Sequence, residues 1–278
     1  MVGPSTGQLQ MTGARMPVSD LPGGWGATRS ALQKYAQALT AFPRAGAPQQ
    51  SRWAHVSMDP VPGGFAATET PLSDGTALRS IIDIRGHKII VAAGNQSLVL
   101  DMADGRSPHA VGEAIMRVSD RHGEGVPVDQ NRFADGSPQT YEPLVAEAFL
   151  ESAAAAIGAL EALNEERGGE VVGPHLWPHG FDIATEWFSR RLVPFEDSMT
   201  NAQIATGWYP GEESYIYVNP WPFDASFTDI DLPGGGVWNL EGWQGAKLSV
   251  PPGGALSTDL VIEFAGVVHD ATRSSLEG

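Results

Sequence analysis

A chain of 278 residues, 42% hydrophobic and 18% charged, is long enough to bury a core and too apolar to stay disordered. Its formal net charge of −16 repels phosphate backbones and anionic lipid, which argues against nucleic-acid and membrane partners. There is no cysteine, so disulfides, thiolate nucleophiles and cysteine-ligated metals or clusters are excluded, and a metal would have to sit on His and carboxylate.

Residues 1–22 are polar, rich in Gly and Pro and without periodicity, and they read as a flexible tail. A first half follows over 23–123. Ala31, Leu32, Tyr35, Leu39 and Phe42 recur at helical spacing and predict a helix over 28–40, capped by Thr28 and left at Pro43. Trp53-Ala54-His55-Val56-Ser57-Met58 alternates and predicts a strand, which Gly63-Gly64 turns into a partner over 65–70. Residues 80–84 and 88–92 form a predicted hairpin about Arg85-Gly86-His87, and 96–101 is a further strand. Ser107-Pro108 sets a cap and a first-turn proline ahead of a helix to about His122.

Residues 124–145 are polar and rich in Gly, Pro and Asp, and they read as a linker. The second half, 146–278, opens with an Ala-rich helix over 147–166 that Gly168-Gly169 ends. A strand region over 177–188, a strand pair over 202–208 and 214–218, a short strand over 247–250 and a last helix over 256–273 complete it. An aromatic, Gly-rich insertion fills 219–245. Element order repeats between the halves, and Trp53/His55 and Trp177/His179 are both offset by 124 positions. The expected fold is therefore α+β: two tandem related halves, each helix, antiparallel β-meander, helix, packed as one unit. No segment reads as a membrane span of roughly 18 apolar residues, and no signal pattern opens the chain, so the expected location is the cytoplasm.

Three motifs are distinctive: Trp53-Ala54-His55-Val56, then Gly173-Pro174-His175 leading into Gly180-Phe181-Asp182-Ile183-Ala184, then Gly207-Trp208-Tyr209-Pro210-Gly211. Together they resemble a bacterial domain-of-unknown-function family, numbered 5996, over roughly Trp25 to Arg273. The resemblance implies one architecture of about this length and no established activity. It matches His55, His175 and Asp182 to positions that the family tends to hold. His179 departs from it, as does Asn201-Ala202-Gln203, where members often carry a polar His/Glu pair.

The candidate catalytic and metal-ligating cluster is His175, His179 and Asp182, with Glu186 nearby. Imidazole and carboxylate suit iron, manganese or zinc, or acid–base work. On a strand, His175 and His179 share a face and Asp182 takes the other, while Pro178 and Gly180 oppose the helical turn that would align all three. The competing reading makes the two histidines loop hydrogen-bonders. The second candidate is an aromatic small-molecule pocket, since six of the eight tryptophans lie in the second half. Its expected walls are Trp177, Trp208, Tyr209, Trp221, Trp238 and Trp243; Tyr215 and Tyr217 belong to the same aromatic set, and the competing reading is a core, since they alternate as in any strand. Glu212-Glu213 read as solvated charge beside a turn. No Gly-x-Ser-x-Gly or phosphate-loop motif is present. Two functional classes follow. One is an enzyme acting on a small organic molecule at the His/Asp site; the other is a non-catalytic small-molecule-binding or interaction protein.

Overall fold

The computed structural model describes residues 16–277. Of the tail expected over 1–22, residues 1–15 lie outside the described residues. The remainder is held in place: Val18 is fully buried in β1 (Val18–Ser19), which pairs with β14 (Ala255–Leu256).

The first half begins with α1 (Trp25–Gly46), whose buried stripe includes Leu32, Tyr35, Leu39 and Phe42. The helix does not stop at Pro43. That residue sits in the last turn, and the Ala47 N–H closes onto its carbonyl at 2.9 Å. The strand expected at Trp53 is also absent. Arg52 and Trp53 both take φ near 60°, and this left-handed pair coils 51–56 into a 3-10 turn. Pairing starts later, with β2 (Met58–Val61), β3 (Gly64–Ala67), β4 (Thr70–Pro71), β5 (Ala77–Asp83), β6 (Lys88–Ala93) and β7 (Gln96–Asp101). The half ends in α2 (Pro108–Ser119), where the Ser107 hydroxyl accepts from the Ala110 N–H as its cap.

The segment expected as a linker, 124–145, packs closely. Phe133 is buried under Phe42, with ring centroids 6.4 Å apart, and Asp135 takes the Lys34 ammonium at 2.7 Å. The second half then runs through α3 (Pro143–Arg167), β8 (Glu170–Trp177), β9 (Asp182–Phe195), β10 (Ser198–Tyr209), β11 (Tyr215–Trp221), β12 (Val237–Asn239), β13 (Gly245–Ser249) and α4 (Thr258–Glu277).

All these strands except β1 and β14 join one antiparallel sheet, in the order β12-β13-β11-β10-β9-β8-β2-β3-β5-β6-β7, with β4 added beside β5. The fold is thus α+β, as expected, and the halves meet edge to edge where Met58 on β2 pairs with Leu176 on β8. Both halves run helix, antiparallel strands, helix. Shared ancestry is a separate matter, and the Trp53/Trp177 correspondence does not hold in the structure, since one lies in a turn and the other on a strand.

Alternation along the strands decides the two faces. Ile82, Ile89, Ile183, Trp187, Ile204, Trp208, Ile216 and Leu248 join the helices in one core. Its centre is Phe149 on α3, with Trp25, Phe65, Phe181 and Trp208 at centroid distances of 4.8, 6.3, 5.5 and 5.7 Å. α3 itself is long and apolar enough, by length and composition, to cross a membrane, which corrects the expectation that no segment is. In this fold that apolarity serves the core, where Ala146, Phe149, Ala153, Ala156 and Leu160 are buried. On the opposite face, among the described residues, Val56 of the 3-10 turn packs with Trp177, Ala184 and Tyr217, and there the polar and aromatic residues of the second half collect.

Candidate functional site

The register of β8 to β13 lays one row across the open face: His175 opposite Ala184, Ala184 opposite Gly207, Gly207 opposite Tyr217, Tyr217 opposite Lys247. Small residues at Ala184 and Gly207 leave a hollow between taller neighbours. The Tyr217 ring lies across Gly207 and reaches β9, where its hydroxyl donates to Asp182 Oδ2 at 2.6 Å. A Cβ on Gly207 would stand 2.6 Å from that hydroxyl and 2.7 Å from the Ile183 carbonyl oxygen, so only glycine admits this bond.

The Gly207–Gly211 motif is therefore a piece of pocket construction. Gly207 seats Tyr217; Trp208 turns into the core and donates to Ser214 Oγ at 2.7 Å; Tyr209 forms a wall. The Pro210 carbonyl accepts from Trp25 Nε1 at 2.7 Å, and Gly211 clears the space under the Tyr209 ring. The Gly180–Ala184 motif does the same for the carboxylate. A Cβ on Gly180 would meet Asp182 Oδ1 at 2.6 Å, and Phe181, at φ 56°, turns its ring into the core.

Asp182, Ala205, Tyr209, Tyr215, Tyr217, Asn219 and Trp243 line a cavity of about 280 Å³. Tyr215 and Trp243 lie nearly parallel, 13° apart with centroids at 6.1 Å, and Tyr217 stands at 66° and 69° to them. Tyr209 closes the side, 5.1 Å from Tyr215. Two cations touch the outer parts of this cup without lining it. Arg29 Cζ is 5.0 Å from the Tyr209 ring centre, and Lys247 Nζ is 4.7 Å from that of Tyr215.

Burial raises the Asp182 carboxyl above the usual carboxylate range, and the Tyr217 hydrogen bond, His179 and Arg29 oppose the rise. Glu186 is raised as well, first by burial and then by the charge of Asp182. The Tyr217 phenol is pushed well above its ordinary value by burial and by the neighbouring Asp182. Such a carboxyl can hold a donor, a cation or a proton, depending on what enters the cup.

The sequence-predicted residues separate here. Asp182, Tyr209 and Trp243 line the cavity, and Trp177 stands beside it, packed with Val56, Ala184 and Tyr217. His175 and His179 do not join Asp182. His175 Nδ1 sits 2.9 Å from Asp59 Oδ1, at ion-pair distance but without hydrogen-bond alignment. His179 is exposed in the turn after β8, because the strand ends at Trp177 and Phe181 turns left-handed. Among the described residues no three His, Asp or Glu side chains gather as a metal site.

Trp208 is corrected from wall to core, fully buried on the helix-covered face. Trp221 instead meets Phe195 edge-on, and Trp238 packs with Phe223 and donates to the Ile230 carbonyl at 3.1 Å. Tyr215 and Tyr217, which the sequence left between pocket and core, line the cavity. Their signal was available: with Ile216 and Val218 alternating between them, one set of the strand must face away from the helices. Asn201, where the resemblance implies a polar pair, accepts from Arg52 at 2.7 Å, and Arg52 lies 4.0 Å from the Phe188 ring centre.

No curated protein and no solved structure matches the chain. The model of the family of unknown function DUF5996 matches residues 20–240, well over half of the sequence, and the chain belongs to that family.

Proposed function

We propose that this protein binds a compact organic molecule in the aromatic cup on the open sheet face, with Asp182 as the polar anchor. One observation carries the reading. Four aromatic rings and a single carboxylate converge on a cavity of about 280 Å³, and motif glycines hold its walls in place. An apolar lining with few polar groups is the usual composition of a small-ligand site, and the volume lies near the lower end of such sites. The net charge of −16 argues against phosphate-rich partners, and the lack of cysteine suits a cytoplasmic location.

A second reading, an acid–base enzyme, draws on the 2.6 Å bond between Tyr217 and Asp182. A carboxyl raised by burial and linked to a phenol can serve as a proton acceptor or donor. Binding comes first in either case, so it is the property to test.

The test is a thermal-unfolding screen of the whole chain against a fragment set of cations, anions and neutral rings. A true ligand at tenfold its Kd stabilises the native state by about 1.4 kcal/mol. The expected result is at least one stabilising fragment whose effect disappears in Trp243→Ala and in Asp182→Asn. Fragments that stabilise both variants as well as the parent would place binding elsewhere and contradict the proposal, as would a set with no stabilising member.

A further inference from the structure

Resting on that pocket reading, we infer that the ligand is an organic cation, an alkylated ammonium group seated in the corner made by Tyr215, Tyr217 and Trp243 and facing Asp182. The arrangement of rings separates this class from its rivals. Tyr215 and Trp243 are parallel, but their centroids are only 6.1 Å apart. Sandwiching a flat ring takes about 7 Å, two contact distances, so no slot exists for one. Tyr217 stands close to perpendicular to both walls. Faces set at right angles suit a tetrahedral head that touches several at once, and electron-rich ring faces attract cations.

The charges point the same way. Among the described residues Asp182 is the one carboxylic acid in the lining, and no Lys or Arg lines the cavity. Tyr217 already donates its proton to Asp182, so it offers no donor to an anion. The chain also shows that these ring faces hold cations, since Arg29 and Lys247 lie 5.0 and 4.7 Å from the Tyr209 and Tyr215 centres. Both are engaged elsewhere. Arg29 donates to the Gly180 carbonyl at 2.6 Å, and Lys247 lies 3.7 Å from Glu213. Lys247 sits over Tyr215, and among the described residues no cation of the protein lies over the Tyr217 or Trp243 ring. The net charge of −16 raises the local concentration of any organic cation in solution.

The experiment is calorimetric titration of the full chain with choline chloride and with its neutral isostere, 3,3-dimethylbutan-1-ol. The two share shape and differ in charge. Choline is expected to bind at least about tenfold more tightly than the alcohol. Tyr215→Leu and Asp182→Asn should each weaken choline by about tenfold, with circular dichroism unchanged. Tyr217→Phe keeps the third wall and serves where a larger change fails to fold; it should retain most of the preference for the cation. Equal or tighter binding of the alcohol overturns the inference and leaves the pocket standing. The inference is overturned in the same way if neither probe binds while other fragments bind at Trp243. If nothing binds there, the pocket reading falls too.

Discussion

Gly207 shapes the site without lining it. Its missing side chain is the space that the Tyr217 hydroxyl crosses to reach Asp182. Gly207→Ala would press a methyl group against that hydroxyl and against the Ile183 backbone oxygen, which cannot swing away. The expected cost is about 1–3 kcal/mol in urea denaturation, together with loss of whatever the cup binds. A change below about 0.5 kcal/mol would mean that Tyr217 does not lie where described. His269 makes a different residue-scale statement. Burial, then Arg273 and Arg167, push its imidazole down to about 4. The unfolded histidine titrates near 6.5, so the unfolded chain binds the extra proton between these values and native stability falls as pH drops from about 6.5 towards 4. Denaturation at pH 7.5 and 4.5 should show the parent losing about 1–3 kcal/mol more than His269→Leu. Equal losses would contradict the neutral, buried histidine.

Among the elements, strands with strict alternation were legible and turns with left-handed residues were not. The hairpin β5–β6 and the capped helix α2 lie close to where their residues predict them. The short strand at Trp53 and the helix end at Pro43 were misread for local reasons. No side chain at Arg52 or Trp53 announces φ near 60°, and a proline in a last turn costs a helix only one bond. The same blindness affected the site. Phe181 at φ 56° turns the chain between β8 and β9 and leaves His179 exposed, while His175 lies opposite Ala184 and beside Asp59. Asp182 and Tyr209 were recognisable from the motifs and Trp243 from the aromatic insertion; alternation could set Tyr217 on the open face, but its bond to Asp182 depends on a glycine across the sheet. α3 carries the strongest element-level prediction. Phe149 touches aromatic side chains of α1, β3 and β10 as well as Phe181, and Phe149→Ala should cost roughly 3–5 kcal/mol. Because those partners belong to both halves, the loss should lower one cooperative transition. Calorimetry resolving two transitions, only one of them shifted, would show that the halves unfold separately.

At the scale of the whole molecule, one long sheet with the α-helices in one core leaves the other face to be explained. In the second half that face is organised: small residues form the floor, tyrosines and a tryptophan form the walls, and Asp182 is the anchor. The chain happens to carry a direct probe of it. It has five tyrosines, of which Tyr209, Tyr215 and Tyr217 line the cup while Tyr35 and Tyr141 are buried in the helix-covered layer. Fluorotyrosine incorporated throughout gives a fluorine resonance for each, assigned by single Tyr→Phe replacements. Titrating the labelled protein with a stabilising fragment tests the site most directly. A ligand pocket at Asp182 predicts saturable shifts at Tyr209, Tyr215 and Tyr217, with Tyr35 and Tyr141 unmoved. Shifts confined to Tyr35 or Tyr141, or a bound fragment that leaves the three pocket tyrosines unchanged, would contradict it.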